Sequence, residues 1–230
     1  MNQVAENLVK NREEASHTAL LLISGSLITL YLTANLMAVK LISIFGITIF
    51  DAGTITFPFA YMLGDVLTEI WGFKAAKRVI VLSFFCNILM VLATTVGVYL
   101  PYPDYTAETA NAYAQIFGYV PRIVIASLIS FLIGELSNSW SLIKIREKTG
   151  GKHLWVRTIG SSVIGHMLDT GLFVILAFAG TAPFIDLLSM IGIQYVFKLG
   201  VEAICATPIA YLMIYKLRKK LGIPHPGEKA

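Results

Sequence analysis

The chain has 230 residues, of which 56% are hydrophobic and only 14% charged, with a mean hydropathy of +0.72. A soluble domain carries about 25% charged residues, so this composition excludes an ordinary soluble enzyme or binding module and points to a polytopic membrane protein. The net charge of +4 does not indicate a nucleic-acid partner, because the basic residues are scattered over short loops rather than gathered into a patch.

Residues 1–17 are polar and do not resemble a secretory leader, and the apolar segment after them is too long and lacks a small-residue cleavage pattern. Six transmembrane helices of roughly 20 residues or more are predicted, at about 18–45, 52–72, 76–100, 121–143, 156–180 and 185–215. The first carries Asn35 and an Ala34/Ala38 pair, a spacing that permits close helix packing or the docking of a partner. The second carries Phe57, Tyr61, Asp65 and Glu69, which repeat every four residues and so form one stripe. Pro58 is expected to interrupt it. Cys86 in the third span and Cys205 in the sixth read as small apolar packing residues.

Between Pro101 and Pro121 lies a connection rich in tyrosine, with a short helix expected over Thr106–Phe117. It reads as an interfacial segment at headgroup level or as a lid. Glu135 falls in the fourth span, toward its inner end, and Gly150-Gly151 marks an inner turn. The fifth span is narrow and polar through Gly160, Ser161, Ser162 and Gly165, and it bears His166 and Asp169 on one face. The sixth carries Gln194, Lys198 and Glu202 as a stripe, then Pro208 as a second interruption. The tail over about 222–230 is expected to be disordered.

Apart from Lys40, Arg122 and Lys198, all 18 basic residues fall on one side if both termini are cytoplasmic, which sets the orientation. The expected fold is thus all-α: one membrane domain over 1–230 with six spans and both termini inside.

Ionisable groups at membrane depth are costly and mark pathways or cavities. At about 1.5 Å per residue, Asp169, Lys198 and Glu202 lie near mid-membrane. Asp65 falls roughly 5 Å inward and Asn35 roughly 6 Å outward on the same rise. Each stripe should therefore face the bundle interior. Lys198 and Glu202 could neutralise each other one turn apart, which would leave Asp169 and Asp65 needing partners or protons. His166 is expected to hydrogen-bond Asp169. Phe57 and Tyr61 offer flat faces to a planar ligand. Ser161 and His166 do not share a face well and no nucleophile elbow accompanies them, so catalysis is not expected. There is no phosphate-binding lysine loop, zinc spacing or dinucleotide fingerprint, and no cofactor or metal is expected.

The run Phe57-Pro58-Phe59-Ala60-Tyr61-Met62-Leu63-Gly64-Asp65-Val66-Leu67-Thr68-Glu69-Ile70-Trp71-Gly72 resembles the signature of the vitamin uptake transporter family, whose bacterial members include queuosine precursor transporters. Gly160-Ser161-Ser162 through Asp169-Thr170 and Phe173 is similar to that family's fifth helix. Lys198 to Glu202 with Thr207-Pro208 is similar to its sixth. Trp71 and His166 depart from the Tyr and Gln common there, which bears on substrate preference more than on membership.

The resemblance implies import of 7-cyano- or 7-aminomethyl-7-deazaguanine across the bacterial inner membrane for tRNA queuosine synthesis. A guanine-like ring presents adjacent N–H donors that one carboxylate can accept together. The expected site comprises Asp169 or Glu202 on that edge, Lys198 orienting the carboxylate, Tyr61 and Phe57 on the ring, and Asn35, His166 and Gln194 nearby. Asp65 and Glu69 would continue the polar path toward the cytoplasm. The partners expected are this small purine-like molecule and membrane lipid, with protons and a second copy of the chain left open, and no nucleic acid. A secondary transporter is the leading reading. The alternatives are a substrate-binding subunit of an ATP-driven vitamin importer and, below it, an intramembrane enzyme.

Overall fold

The computed structural model describes residues 2–44, 47–118, 121–150, 154–180 and 184–223. The chain is an all-α polytopic membrane protein whose described residues form the α-helices α1 (Asn2–Met37), α2 (Phe57–Trp71), α3 (Phe73–Tyr99), α4 (Ala107–Gly118), α5 (Pro121–Lys148), α6 (Leu154–Phe178), α7 (Phe184–Val201) and α8 (Thr207–Leu221). Among the described residues, four segments are long and apolar enough to cross a bilayer by themselves: Lys10–Met37, Phe73–Tyr99, Trp155–Phe178 and Leu187–Leu221. α3 shows why, since Leu82, Phe85, Leu89, Leu92 and Val96 all lie exposed on the outside of the bundle, where only lipid suits them.

α2 and α5 differ from these four. α2 has 15 residues, 12 of them buried, so it is the central post of the bundle rather than a lipid-facing helix. At about 22 Å it is shorter than the hydrocarbon core. α5 carries Glu135, Asn138 and four serines that are buried against its neighbours.

Three expectations about helix continuity need correction. The first span ends at Met37 rather than running to 45, and an antiparallel hairpin follows, β1 (Leu41–Ile44) with β2 (Ile47–Asp51). The β-branched run Ile42, Ile44, Ile47, Thr48, Ile49 explains it, because such side chains favour strand over helix once neighbouring packing allows. The second span begins with a 3-10 turn over Ala52–Ile55 capped by Asp51, and Pro58 stands in the first turn of α2. There its missing N–H costs nothing, so it starts the helix instead of breaking it. The polar segment 1–17 is also part of α1 from Asn2 onward. In the sixth span the interruption is real. A π turn over Glu202–Ala206 separates α7 from α8, with Thr207 N–H reaching Glu202 C=O, and Pro208 opens α8.

α5 and α6 form the most extensive helix pair, and two glycines explain their proximity. A Cβ on Gly134 would sit 2.7 Å from Asp169 Cβ and 2.9 Å from Gly165 O; one on Gly165 would sit 2.7 Å from Asn138 Cβ. Ala34 and Ala38 are buried, and a Cβ on Gly53 would run into Ala34 O, so that pair packs against the 3-10 turn. At one end Arg122 donates to Leu176 O at 3.2 Å and to Ala179 O at 2.8 Å, joining the start of α5 to the end of α6. Helix α4 covers nearly the residues expected and is held to α3 by Tyr113, which donates to Thr94 O at 3.2 Å. Tyr102 and Tyr105 beside it are exposed. Most of the tail expected to be disordered, residues 224–230, lies outside the described residues, as do Tyr119 and Gly151.

Candidate substrate site

α2, α5, α6 and α7 meet around a line of buried polar groups. Lys198 on α7 donates to Asp169 Oδ2 on α6 at 2.6 Å and to Thr170 Oγ1 at 3.2 Å, while its ammonium lies 4.7 Å from the ring centre of Phe57 on α2. Both partners of this ion pair are buried, so neither charge is left alone in a low dielectric. Phe57 adds a cation–π contact on the open side.

Beside this pair is a small cavity. Asp51, Phe57, Asp169, Gln194 and Lys198 supply its functional walls, and Ser127 and Ser130 of α5 close the back. Asp51 is fixed by its capping role: it accepts from Thr54 N–H at 3.1 Å and from Thr54 Oγ1 at 3.0 Å. Gln194 donates to Thr54 Oγ1 at 2.9 Å and to Asp51 Oδ2 at 3.3 Å. The hairpin and 3-10 turn thus deliver a carboxylate to the cavity in place of the upper part of a continuous second helix.

The pairing of Lys198 with Glu202 that their spacing allowed does not occur. Glu202 bonds instead to His166 Nε2 across helices, and His166 therefore does not partner Asp169 as expected. Tyr61 packs against His166 with ring centres 4.2 Å apart and planes tilted by 49°, and lies edge-on to Phe131 at 5.9 Å. Tyr61 is fully buried behind the cavity, whereas Phe57 lines it.

Asp65 accepts from Asn138 Nδ2 at 2.9 Å. Asn35 belongs to another group: it donates to Asn87 Oδ1 at 2.5 Å and accepts from Ser127 Oγ at 2.6 Å. It lines a separate, mostly apolar cleft of about 310 Å³ with Met90, Val91 and Phe117. Glu69 is remote from the cavity, at the C-terminal end of α2. There Arg157 Nη2 lies 2.5 Å from one oxygen, and Arg146 Nη1 and Arg218 Nη2 each lie 3.4 Å from the other. Trp71, close by, donates to Ser16 Oγ at 3.0 Å, so this departure from the family pattern bears on α1–α2 packing.

Of the expected residues, then, Phe57, Asp169, Gln194 and Lys198 share one cavity. His166, Glu202, Tyr61 and Asp65 lie in the adjoining polar layer, and Asn35 and Glu69 stand apart from both. Sequence reasoning passed over Asp51, whose Asp-x-x-Thr spacing is a capping signal. It also left Glu135 out of the expected site. The structure sets that carboxylate directly against Gly64, next to Asp65.

Residues 51–213 match the family described as "Putative vitamin uptake transporter". The chain belongs to this family. The matched stretch starts at Asp51 of the cavity and ends within α8, so it contains every cavity group except Ala38. Among curated relatives, a "Probable queuosine precursor transporter" of Bacillus subtilis (strain 168) is 30% identical over 179 residues, covering 77% of each chain. One of the same description from Haemophilus influenzae is 26% identical over 172 residues, or 74% of this chain and 70% of the relative. The "Queuosine precursor transporter" of Escherichia coli (strain K12) is 21% identical over 173 residues, or 74% and 75%. No solved structure matches the chain. Membership in the family accounts for a buried polar cavity enclosed by apolar helices, which is what a transporter needs and a membrane scaffold does not.

Proposed function

We propose that this family member imports queuosine precursors, 7-cyano- and 7-aminomethyl-7-deazaguanine, across the bacterial inner membrane as a secondary transporter. The observation that carries the reading is the cavity bounded by Phe57, Asp169, Lys198, Gln194 and Asp51. The names of the three relatives point to the same cargo.

The chemistry follows from the donors and acceptors present. The ring stacks on Phe57. Its adjacent N–H groups donate to Asp169, and Lys198 turns from that carboxylate to the ring carbonyl, so both partners of the ion pair stay satisfied when the base enters. Gln194 and Asp51 meet the substituent at the other end, where a cationic aminomethyl group gains from the Asp51 carboxylate. Glu202 with His166, then Asp65, form the polar layer on the inward side. The whole chain works as one transport domain that crosses the membrane six times with both termini inside, α2 and α5 serving as the buried crossings. The hairpin side of the cavity then faces out, and the Glu69 cluster faces the cytoplasm.

Cells unable to make deazaguanines, given 7-cyano-7-deazaguanine, should recover queuosine in tRNA with the wild-type chain. Asp169→Asn, expressed to the same level, should lower uptake at least tenfold. Wild-type queuosine levels with that variant would rule out the assigned cavity. Uptake by the purified chain alone in liposomes separates a secondary transporter from a subunit that requires an ATP-driven module.

A further inference from the structure

The Glu135 carboxylate has no role in the reading above, yet it sits at the centre of the bundle. It is fully buried, and neither of its oxygens has a hydrogen-bond partner among the described residues. Its carboxyl group rests on the bare Cα of Gly64, where any side chain would displace it. α2 presents Tyr61 and Asp65 to this region, with Glu69 one turn further in. α6 presents His166 and Asp169, the π turn presents Glu202, and α7 presents Lys198. The carboxylates that act on Glu135 through space are Asp65, Glu202 and Asp169.

The cations nearby are already engaged. Lys198 neutralises Asp169, the three arginines surround Glu69, and His166 holds Glu202. Asp65 has the neutral Asn138 amide and no ion-pair partner among the described residues, and Glu135 has neither. Two ionised carboxylates in such a place would each be stripped of water without a compensating partner and would also repel each other. A metal ion does not resolve this, because among the described residues no three ligating side chains converge to hold one. A proton does resolve it. It removes one charge and turns one acceptor-only carboxylate into a donor.

We propose that Glu135 and Asp65 form a proton-binding site distinct from the substrate cavity, with the proton on Glu135 in this conformation. When the bundle opens inward the Glu135 O–H bond breaks, the carboxyl becomes carboxylate, and the proton passes to cytoplasmic water with the cargo. The site stands on geometry alone. Its coupling to uptake rests on the importer reading.

The two halves are tested separately. In the full chain in nanodiscs at pH 7, infrared spectroscopy should show a protonated-carboxyl carbonyl band that shifts when glutamate is carboxyl-labelled with carbon-13 and is absent from Glu135→Gln. In Glu135→Asp the glutamate-sensitive band should likewise vanish, which covers the case of a poorly folded Gln variant. A wild type without the band, or variants that keep it, would overturn the site. In proteoliposomes with an inside-alkaline gradient, wild type should accumulate 7-cyano-7-deazaguanine about tenfold per pH unit, as one proton per neutral base requires. Glu135→Gln should exchange the base across the membrane yet fail to concentrate it. Transport without accumulation by wild type, or full accumulation by Glu135→Gln, would overturn the coupling. If wild type moves no deazaguanine at all, the importer reading and the coupling fall, and the infrared result alone still decides the proton site.

Discussion

Gly64→Ala should be far more damaging than its size suggests. A Cβ there would overlap Glu135 Oε1 and sit 2.9 Å from Glu135 Cδ. Glu135 is enclosed on every side, so its carboxyl group has nowhere open to retreat. Overpacking of this kind typically costs about 1–3 kcal/mol. For a chain of this length each kcal/mol moves the melting temperature by about 2–4 °C, which predicts a loss of about 2–12 °C in detergent at a fixed scan rate. Gly171→Ala on α6 is the control, because a Cβ at that position meets nothing within 4 Å. It should hold or raise the melting temperature slightly, since alanine favours helix over glycine by about 1 kcal/mol. Adding Glu135→Ala to Gly64→Ala should recover part of the loss, as the new methyl then enters vacated space. A Gly64→Ala chain as stable as Gly171→Ala, or a double variant no better than the single, would refute the packing argument.

The Glu69 cluster ranks its arginines. Arg157 is 1% exposed and 2.5 Å from the carboxylate, whereas Arg146 is 39% exposed at 3.4 Å. Arg157→Ala should cost about 3–5 kcal/mol and Arg146→Ala under about 1 kcal/mol, read by thermal melting of the purified variants. Topology has a direct assay. In a background lacking Cys86 and Cys205, Tyr105→Cys should react with a membrane-impermeant thiol reagent in intact cells, and Glu147→Cys only after lysis.

The long, uniform segments were legible in the sequence, because a lipid-facing helix such as α3 declares itself by apolar length alone. The stripe logic also held in part: Asp169, Lys198 and Gln194 do face one interior space with Phe57. Pairing was not legible. Four-residue spacing made Lys198–Glu202 look like an intrahelical pair, yet cross-helix distances decide, and they select Asp169 for the lysine and His166 for Glu202. Nothing local in the sequence announces that Gly64 leaves a recess for Glu135. The hairpin was hidden for another reason. An apolar run beside a helix looks like more helix, and only its β-branched content and the Asp51 cap signal the change.

The π turn has a consequence of its own. It places one extra residue between Glu202 and Thr207, and one residue is about 100° of helical rotation. Lys198 and Arg218 therefore point where they do because the strand of backbone between them is out of phase by that amount. If the bulge were smoothed away by losing a single residue such as Cys205, α8 would turn as a rigid screw. Arg218 would leave Glu69 and swing toward the lipid, though no residue of either cluster had changed. The cavity and the Glu69 cluster are in this sense two settings of one dial, and the bulge holds the angle between them.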